Sequence, residues 1–394
     1  MRSITIASDA DLDGADAALD ILRQLGDFPL KENSCGILIV EPTCDYEEAL
    51  ATLRAELGHV PLIGATSLAQ LSKSGYRKLG LTLLLLTADD CWFSIAGVDN
   101  LNENGEEKIR AVYNEALAGL EGKEPAGAFV FSKLTPNMPE RAKLVLLDEL
   151  IGQKPIVGGI ASDNYTRTTE HVFVNDTIYS GGYAILLVAG NFRPIVNVGS
   201  VPNKGLARYH VTESEGNVLK SIDNTPIIDF LVSNGVNIDT PVGLLFAPFS
   251  DIAGDSNGVD TPVCRPLMGI DKEKGIAKTH VNMPQGSMVS FQIIEGAHLK
   301  LTAEEAARKT LKQIEDSAGS GYEYSTLFCV TCAGRHAVLA FEHEYEGIIA
   351  RQFFADKMEV AGFYGFAEIG PTSIAADGCA KNNTHNLSVI FCAF

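Results

Sequence analysis

The chain has too few basic residues to suit a polyanion. Its 394 residues carry 31 Lys and Arg against 50 Asp and Glu, a formal net charge of −19. Phosphate backbones and anionic bilayers are recognised by clustered cations, so neither nucleic acid nor a membrane surface is an expected partner. No uninterrupted apolar run approaches the ~20 residues that cross a bilayer. The start, Met1-Arg2-Ser3-Ile4-Thr5-Ile6, alternates like a strand and lacks the apolar core of a signal peptide; the cytoplasm is the expected location. Enzyme signatures are missing as well: there is no G-x-S-x-G, no Walker A and no H-E-x-x-H. Gly319-Ser320-Gly321 follows a helical stretch but lacks the succeeding helix that dinucleotide binding requires. The one C-x-x-C, Cys329 to Cys332, ends a strand-like run and has no second pair to complete a zinc site. Buried structural thiols are the expectation for the cysteines.

What the chain does have is a phrase written three times. An apolar run comes first, at 36–40, 127–131 and 326–330. A charged, helix-like stretch follows. Next comes a Gly-marked apolar run: Pro61-Leu62-Ile63-Gly64, Pro155-Ile156-Val157-Gly158-Gly159 and Val360-Ala361-Gly362-Phe363-Tyr364. A long apolar strand closes each phrase, at 81–86, 183–189 and 387–394. Self-similarity of this kind largely determines architecture. The run at 81–86 is apolar on both faces, as a strand covered on both sides must be.

Local signals fill in the elements. Helices are expected over 13–25, 45–57 and 142–150, the last beginning near Pro139 and ending at Gly152. A hairpin is expected at 172–179, and a second, with a Gly-Asn turn, at 211–219. Residues 190–300 read as a β-rich insert. Thr302 with Glu305 suggests a capping box, placing a helix start at 301. The expected fold is α/β: mixed sheets from three related strand–helix–strand–strand units, forming two packed lobes with a β-rich insert.

These motifs, taken in order, resemble those of the FIST family of intracellular signal-transduction sensors. The resemblance rests on Pro61-Leu62-Ile63-Gly64-Ala65-Thr66-Ser67, Pro155 to Gly159 with Tyr179 to Leu187, and Val211-Thr212 with Gly216-Asn217. It continues through Thr331-Cys332-Ala333-Gly334-Arg335, Gly362 to Pro371 and His385-Asn386. Residues 1–190 resemble the family's N-terminal portion and 191–394 its C-terminal portion. Ala367 departs from the pattern, where Gly is usual before the Glu. The resemblance implies a non-catalytic sensor of a small molecule, an amino acid or related metabolite. Haem, as part of a nitric oxide sensor, is the alternative it implies. No kinase, chemotaxis or cyclase segment is fused to these motifs, so a separate partner protein is expected to read the signal.

Several residues stand out as candidate ligand contacts. Arg335 follows a strand end, where a guanidinium could grip a carboxylate bidentately. Glu368 lies in an apolar stretch and needs a partner, because unpaired burial of a charge is costly. Arg335 is the natural one, unless Glu368 instead meets a ligand amine. His385 precedes the last strand and could contact a ligand, bind haem or sit in the core; Asn386 accompanies it. Arg265 begins a turn between apolar runs. The turns bearing Ser67 and Gly158-Gly159 are expected to wall the same hollow with their N–H groups. A third reading makes Cys332 a nucleophile served by His385, which requires a depressed thiol pKa.

Overall fold

The computed structural model describes residues 1–58, 60–201, 207–240, 247–251, 263–279 and 282–394. The chain is α/β, and the repeat is longer than its sequence phrase. Each unit runs strand–helix–strand–helix–strand, then a small hairpin, then a closing strand. The leading strands are Arg2–Ala7, Cys91–Val98 and Ile195–Gly199, each antiparallel to its unit's closing strand, Leu81–Thr87, Tyr183–Gly190 or Val389–Ala393. The central pairs are parallel, as a helical crossover demands: Ser34–Val40 with Leu62–Thr66, Pro125–Ser132 with Ile156–Ile160, and Thr326–Cys332 with Glu359–Gly365.

The helices form where capping and periodicity meet. Asp13 accepts the Gly14 N–H at the start of Gly14–Leu25, and Asp45 accepts the Glu48 N–H at the start of Tyr46–Leu57. Glu140–Ile151 starts after Pro139 and stops at Gly152, whose φ of +71° is the left-handed stop favoured by glycine. One start differs from expectation. The helix placed at 301 begins earlier, at Gly296. Glu295 donates its N–H to His298 Nδ1 at 3.1 Å, whereas Thr302 lies inside the helix and donates to the Leu299 carbonyl at 3.0 Å.

The units are interlocked by their hairpins. Gln70–Ser72 and Gly75–Arg77 of the first unit extend the third unit's sheet through Glu359–Gly365. Val172–Val174 and Thr177–Tyr179 of the second unit extend the first unit's sheet through Leu62–Thr66. Glu368–Ile374 and Ala380–His385 of the third unit extend the second unit's sheet through Ile156–Ile160. Each sheet therefore has six strands, four of its own and two lent. The inner faces meet in one core containing Ile37, Phe129, Phe131, Phe328, Phe363 and Phe394, with Phe129 and Phe328 edge-to-face at 5.5 Å. The three units pack around that shared core, and the β-rich insert is carried by the third. The insert enters the third unit between Ile195–Gly199 and its first helix, Gly296–Asp316, and has its own small core around Val211, Ile227, Phe249 and Phe291. Among the described residues no helix is long and apolar enough to cross a membrane.

Candidate functional site

A cavity of about 1030 Å³ opens where the third unit's hairpin docks on the second unit's sheet. Its floor is Lys133 to Pro136, the loop leaving Pro125–Ser132, and one wall is the first half of Glu140–Ile151. Arg167 and Glu170 form a second wall, and Ala367, Thr384 and Asn386 a third. Asn217, at the turn of the Arg208–Glu215/Val218–Ile222 hairpin, and Asn282 approach from the insert. Three parts of the chain far apart in sequence thus share one hollow.

The polar wall begins with a buried cluster. Lys143 Nζ donates to Ser132 Oγ at 2.8 Å, to the Lys133 carbonyl at 2.6 Å and to Glu140 Oε2 at 3.0 Å. Ser132 Oγ also donates to Glu140 Oε2, at 2.9 Å. Lys143 is 0% exposed and Glu140 4%. Each ammonium proton of Lys143 has an acceptor, and the Ser132 hydroxyl lies between the Lys143 ammonium and the Glu140 carboxylate.

The second wall is set by Asp163. Its carboxylate accepts the Thr166 hydroxyl at 2.6 Å and the N–H groups of Arg167, Thr168 and Thr169 at 3.0, 2.8 and 3.1 Å. Burial opposes its charge, but these four donors outweigh burial and hold its pKa at about 2. The folded-over loop places Arg167 and Glu170 on the cavity. Glu170 is 2% exposed, with Lys133 Nζ and Arg167 Nε each 3.9 Å from its oxygens. Burial raises its pKa, against the pull of those two cations.

Four buried atoms on these walls have no hydrogen-bond partner among the described residues: Glu140 Oε1, Glu170 Oε1, Thr384 Oγ1 and Asn386 Nδ2. Buried polar atoms are almost always satisfied in folded proteins. Each of these atoms has almost no accessible surface, so they lie behind the cavity walls although their residues line it.

Of the eight residues singled out in the sequence, Asn386 lines this cavity and the other seven do not. Arg335 is fully buried and does not pair with Glu368. Its Nε donates to Glu346 Oε1, Nη2 to the Leu299 carbonyl at 2.7 Å and Nη1 to the Leu387 carbonyl at 3.1 Å. Glu368 Oε2 accepts the Ser388 N–H at 3.1 Å. Burial drives its carboxyl well above the ordinary carboxylate range, against the Cys332 thiol, the Ser388 N–H and the Arg335 charge. His385, opposite Glu368 in the ladder, meets the Gly370 carbonyl through Nε2 at 3.0 Å. The reason is alternation along strands. Thr384 and Asn386 face the cavity, so His385 between them faces away; Ala367 faces it, so Glu368 does not. Arg265 is buried, donating to the Thr384 carbonyl at 3.4 Å.

Ser67 accepts the Tyr364 N–H at 2.9 Å and ties the first unit to the third. Gly158 and Gly159 are ladder residues, with N–H groups directed along the sheet. A Cβ on Gly158 would lie 1.9 Å from the Val130 carbonyl oxygen, and one on Gly159 2.5 Å from that of Ala367. Their glycines serve close strand approach, not a ligand. Sequence reading missed Glu140, Glu170 and Thr384. The available signal was Ser132-Lys133, a polar ending to a wholly apolar run, with Glu140 and Lys143 one helical turn apart just after it.

Neither His385 as a haem ligand nor Cys332 as a nucleophile fits these residues. His385 is 0% exposed, and burial lowers its pKa to about 4. Among the described residues no histidine or cysteine lines the cavity. Cys332 is pushed up by burial and by Glu368, the opposite of an activated thiol. Its Sγ accepts the Gly334 N–H at 3.3 Å, and no hydrogen bond joins it to His385 among the described residues.

Comparison with known proteins adds the following. No curated protein is detectably similar to the chain in sequence. Among solved structures, a cyanuric acid hydrolase is 11% identical, aligned over 100% of this chain and 99% of that one, with a TM-score of 0.34. The cyanuric acid hydrolase from A. caulinodans is 8% identical over 99% and 98%, also at 0.34. T. maritima PurL complexed with ADP is 11% identical over 96% and 68%, at 0.19. Superpositions this loose carry no conclusion about activity. The sequence itself matches the FIST N domain over residues 34–225 and the FIST C domain over 235–371. The chain therefore belongs to the FIST family, whose domains are sensor domains of signal transduction.

Proposed function

We propose that this chain is a non-catalytic cytoplasmic sensor whose ligand, an amino acid or related metabolite, binds in the cavity between Glu140, Glu170, Thr384, Asn386 and the insert. The observation that carries this reading is the cavity itself, about 1030 Å³ and walled by distant parts of the chain. Its lining mixes carboxylate, cationic, amide and hydroxyl side chains, the mixture that a small molecule with both N–H and C=O groups satisfies. The raised Cys332 thiol supports the absence of a cysteine nucleophile.

The signal would travel through the insert. Two lent hairpins join the third unit to the first and second by ladder hydrogen bonds, at Gly362–Phe363 with Leu71–Gln70 and at Glu368–Ile369 with Gly159–Gly158. Sliding the units apart would break those ladders. Among the described residues the insert brings Asn217 and Asn282 to the cavity. A ligand touching them favours a docked insert over an undocked one, which is a population shift with differential contacts to support it. A separate partner protein would read the insert's position.

Thermal-shift measurement with amino acids and their derivatives tests the reading. A ligand at one hundred times its Kd adds about 2.7 kcal/mol to stability. That gain should vanish in Asn386→Ala. Absence of stabilisation by every compound sinks the ligand class.

A further inference from the structure

We propose that the cavity holds its ligand by a carboxylate, which the Arg167 guanidinium and the Lys133 ammonium receive on their exposed side. The inference rests on the reading of the cavity as a ligand site and names the end of the ligand that is held.

Eight charged side chains line the cavity, four of each sign. Glu106 is spent on Arg110, 3.1 Å away. Glu140 is held from behind the wall by Lys143 and Ser132, at 3.0 and 2.9 Å. Arg141 and Glu149 are exposed at opposite ends of the Glu140–Ile151 helix, about 12 Å apart along its axis. The other three meet. Lys133 Nζ lies 3.9 Å from Glu170 Oε2, and Arg167 Nε 3.9 Å from Glu170 Oε1. Two cations thus flank one carboxylate, both beyond hydrogen-bond range. Asp163 supplies the second negative charge but no bond to either side chain, because its oxygens accept donors of its own loop. The two cations lack an acceptor, not a counter-charge. A zwitterionic amino acid brings that acceptor and adds no net charge.

A guest can touch these donors. The Arg167 side chain is 43% exposed and that of Lys133 19%, whereas Glu170 behind them is 2%. Among the described residues no hydrogen bond engages Lys133 Nζ or either Nη atom of Arg167. Arg167 is also held in place. Its guanidinium carbon sits 4.8 Å from the centre of the Phe366 ring, and its backbone N–H donates to Asp163 at 3.0 Å. With Nε turned to Glu170, the Nη edge is left for a second carboxylate, the paired geometry that a guanidinium favours. Lys133, on the cavity floor, adds a point charge on a flexible stem. A ligand ammonium in the same place would meet two cations before it met the recessed Glu170.

A thermal-shift screen of the standard amino acids, followed by isothermal titration of each stabilising one against its own α-amide, tests this. Amidation removes the α-carboxylate and keeps the side chain. The free acid should bind about tenfold more tightly than the amide, or better. Arg167→Met should lose about tenfold for the acid and little for the amide. Arg167→Lys, which keeps the charge without the fork, should fall between. Glu170→Gln removes the anion nearest the bound carboxylate, so it should tighten the acid about threefold. Far-ultraviolet circular dichroism and ligand-free melting establish that each variant is folded. If the amides bind as tightly as the acids, or if Arg167→Met binds the acid as well as wild type, the carboxylate assignment falls while the sensor reading stands. Weaker acid binding by folded Glu170→Gln means that Glu170 receives the ligand's ammonium, and it overturns the assignment too. If none of the amino acids binds, the amino-acid reading of the cavity falls with it.

Discussion

Replacing Arg335 by Met should cripple folding without touching the ligand. The Arg335 and Glu346 side chains are each 0% exposed. With the guanidinium gone, Glu346 keeps only the Thr331 hydroxyl, 2.6 Å from Oε2. Breaking a buried ion pair costs ~3–5 kcal/mol, because the survivor is left charged and dry. The Leu387 carbonyl also loses the Arg335 donor, at about 1 kcal/mol, while the Leu299 carbonyl keeps the Thr302 hydroxyl. These terms overlap, so a loss of about 5 kcal/mol is expected, against the ~5–15 kcal/mol that holds an ordinary domain folded. Urea denaturation of Arg335→Met, Glu346→Leu and the double variant reads this directly. Both single variants should unfold at much lower urea. The double variant, with no stranded charge, should recover part of the loss, giving a coupling of at least ~2 kcal/mol. A single-variant loss below ~1 kcal/mol, or full additivity, would refute the structural role. Normal stability with lost ligand affinity would return Arg335 to a ligand site.

Acid should weaken the fold in two stages. His385, buried next to Arg265, titrates at about 4 when folded against ~6.5 unfolded. The unfolded chain takes the proton first, so stability is full above pH ~6.5 and falls by about 3 kcal/mol as pH approaches 4. His385→Gln should flatten that slope, and an unchanged slope contradicts the assignment. Asp163, held at about 2, contributes stability above pH ~4 that disappears as pH falls toward 2; Asp163→Asn should cost about 2 kcal/mol at neutral pH by urea denaturation. Brief iodoacetamide treatment should label Cys379 alone, since it is the one exposed cysteine of eight; a second fast adduct in the intact mass would contradict the burial of Cys332. Gly158→Ala pushes a methyl against the Val130 carbonyl and should cost about 3 kcal/mol; wild-type stability would deny the close strand approach.

The repeat was visible because its apolar runs are buried on both faces, which leaves continuous hydrophobic stretches in the text. Gly105–Gly119 shows the opposite case. It is a polar-faced helix, the first of the second unit, and reading by motif passes over it. Lent hairpins were invisible in kind: Val172–Val174 announces a hairpin by its turn residues, but nothing local says whose sheet it joins. The cavity failed by one residue. His385 and Glu368 attracted notice as titratable groups in apolar text, and strand alternation gave the hollow to their neighbours Thr384, Asn386 and Ala367. Arg335 found its carboxylate eleven positions on, at Glu346, because the helix after Cys332 turns back over the strand that precedes it.

The exchange of hairpins also dictates when the molecule can be finished. The first sheet closes once residue 179 has been made, but the second waits for residues 380–385 and the third for 389–393. A ribosome must therefore release nearly the whole polypeptide before two of the three sheets exist. Until then Ile156–Ile160 is an open edge, free to pair with a stray neighbour. A fragment ending near residue 190 would carry that sticky border permanently, so dissecting this sensor into halves at the gene level should yield aggregates and not miniature receptors.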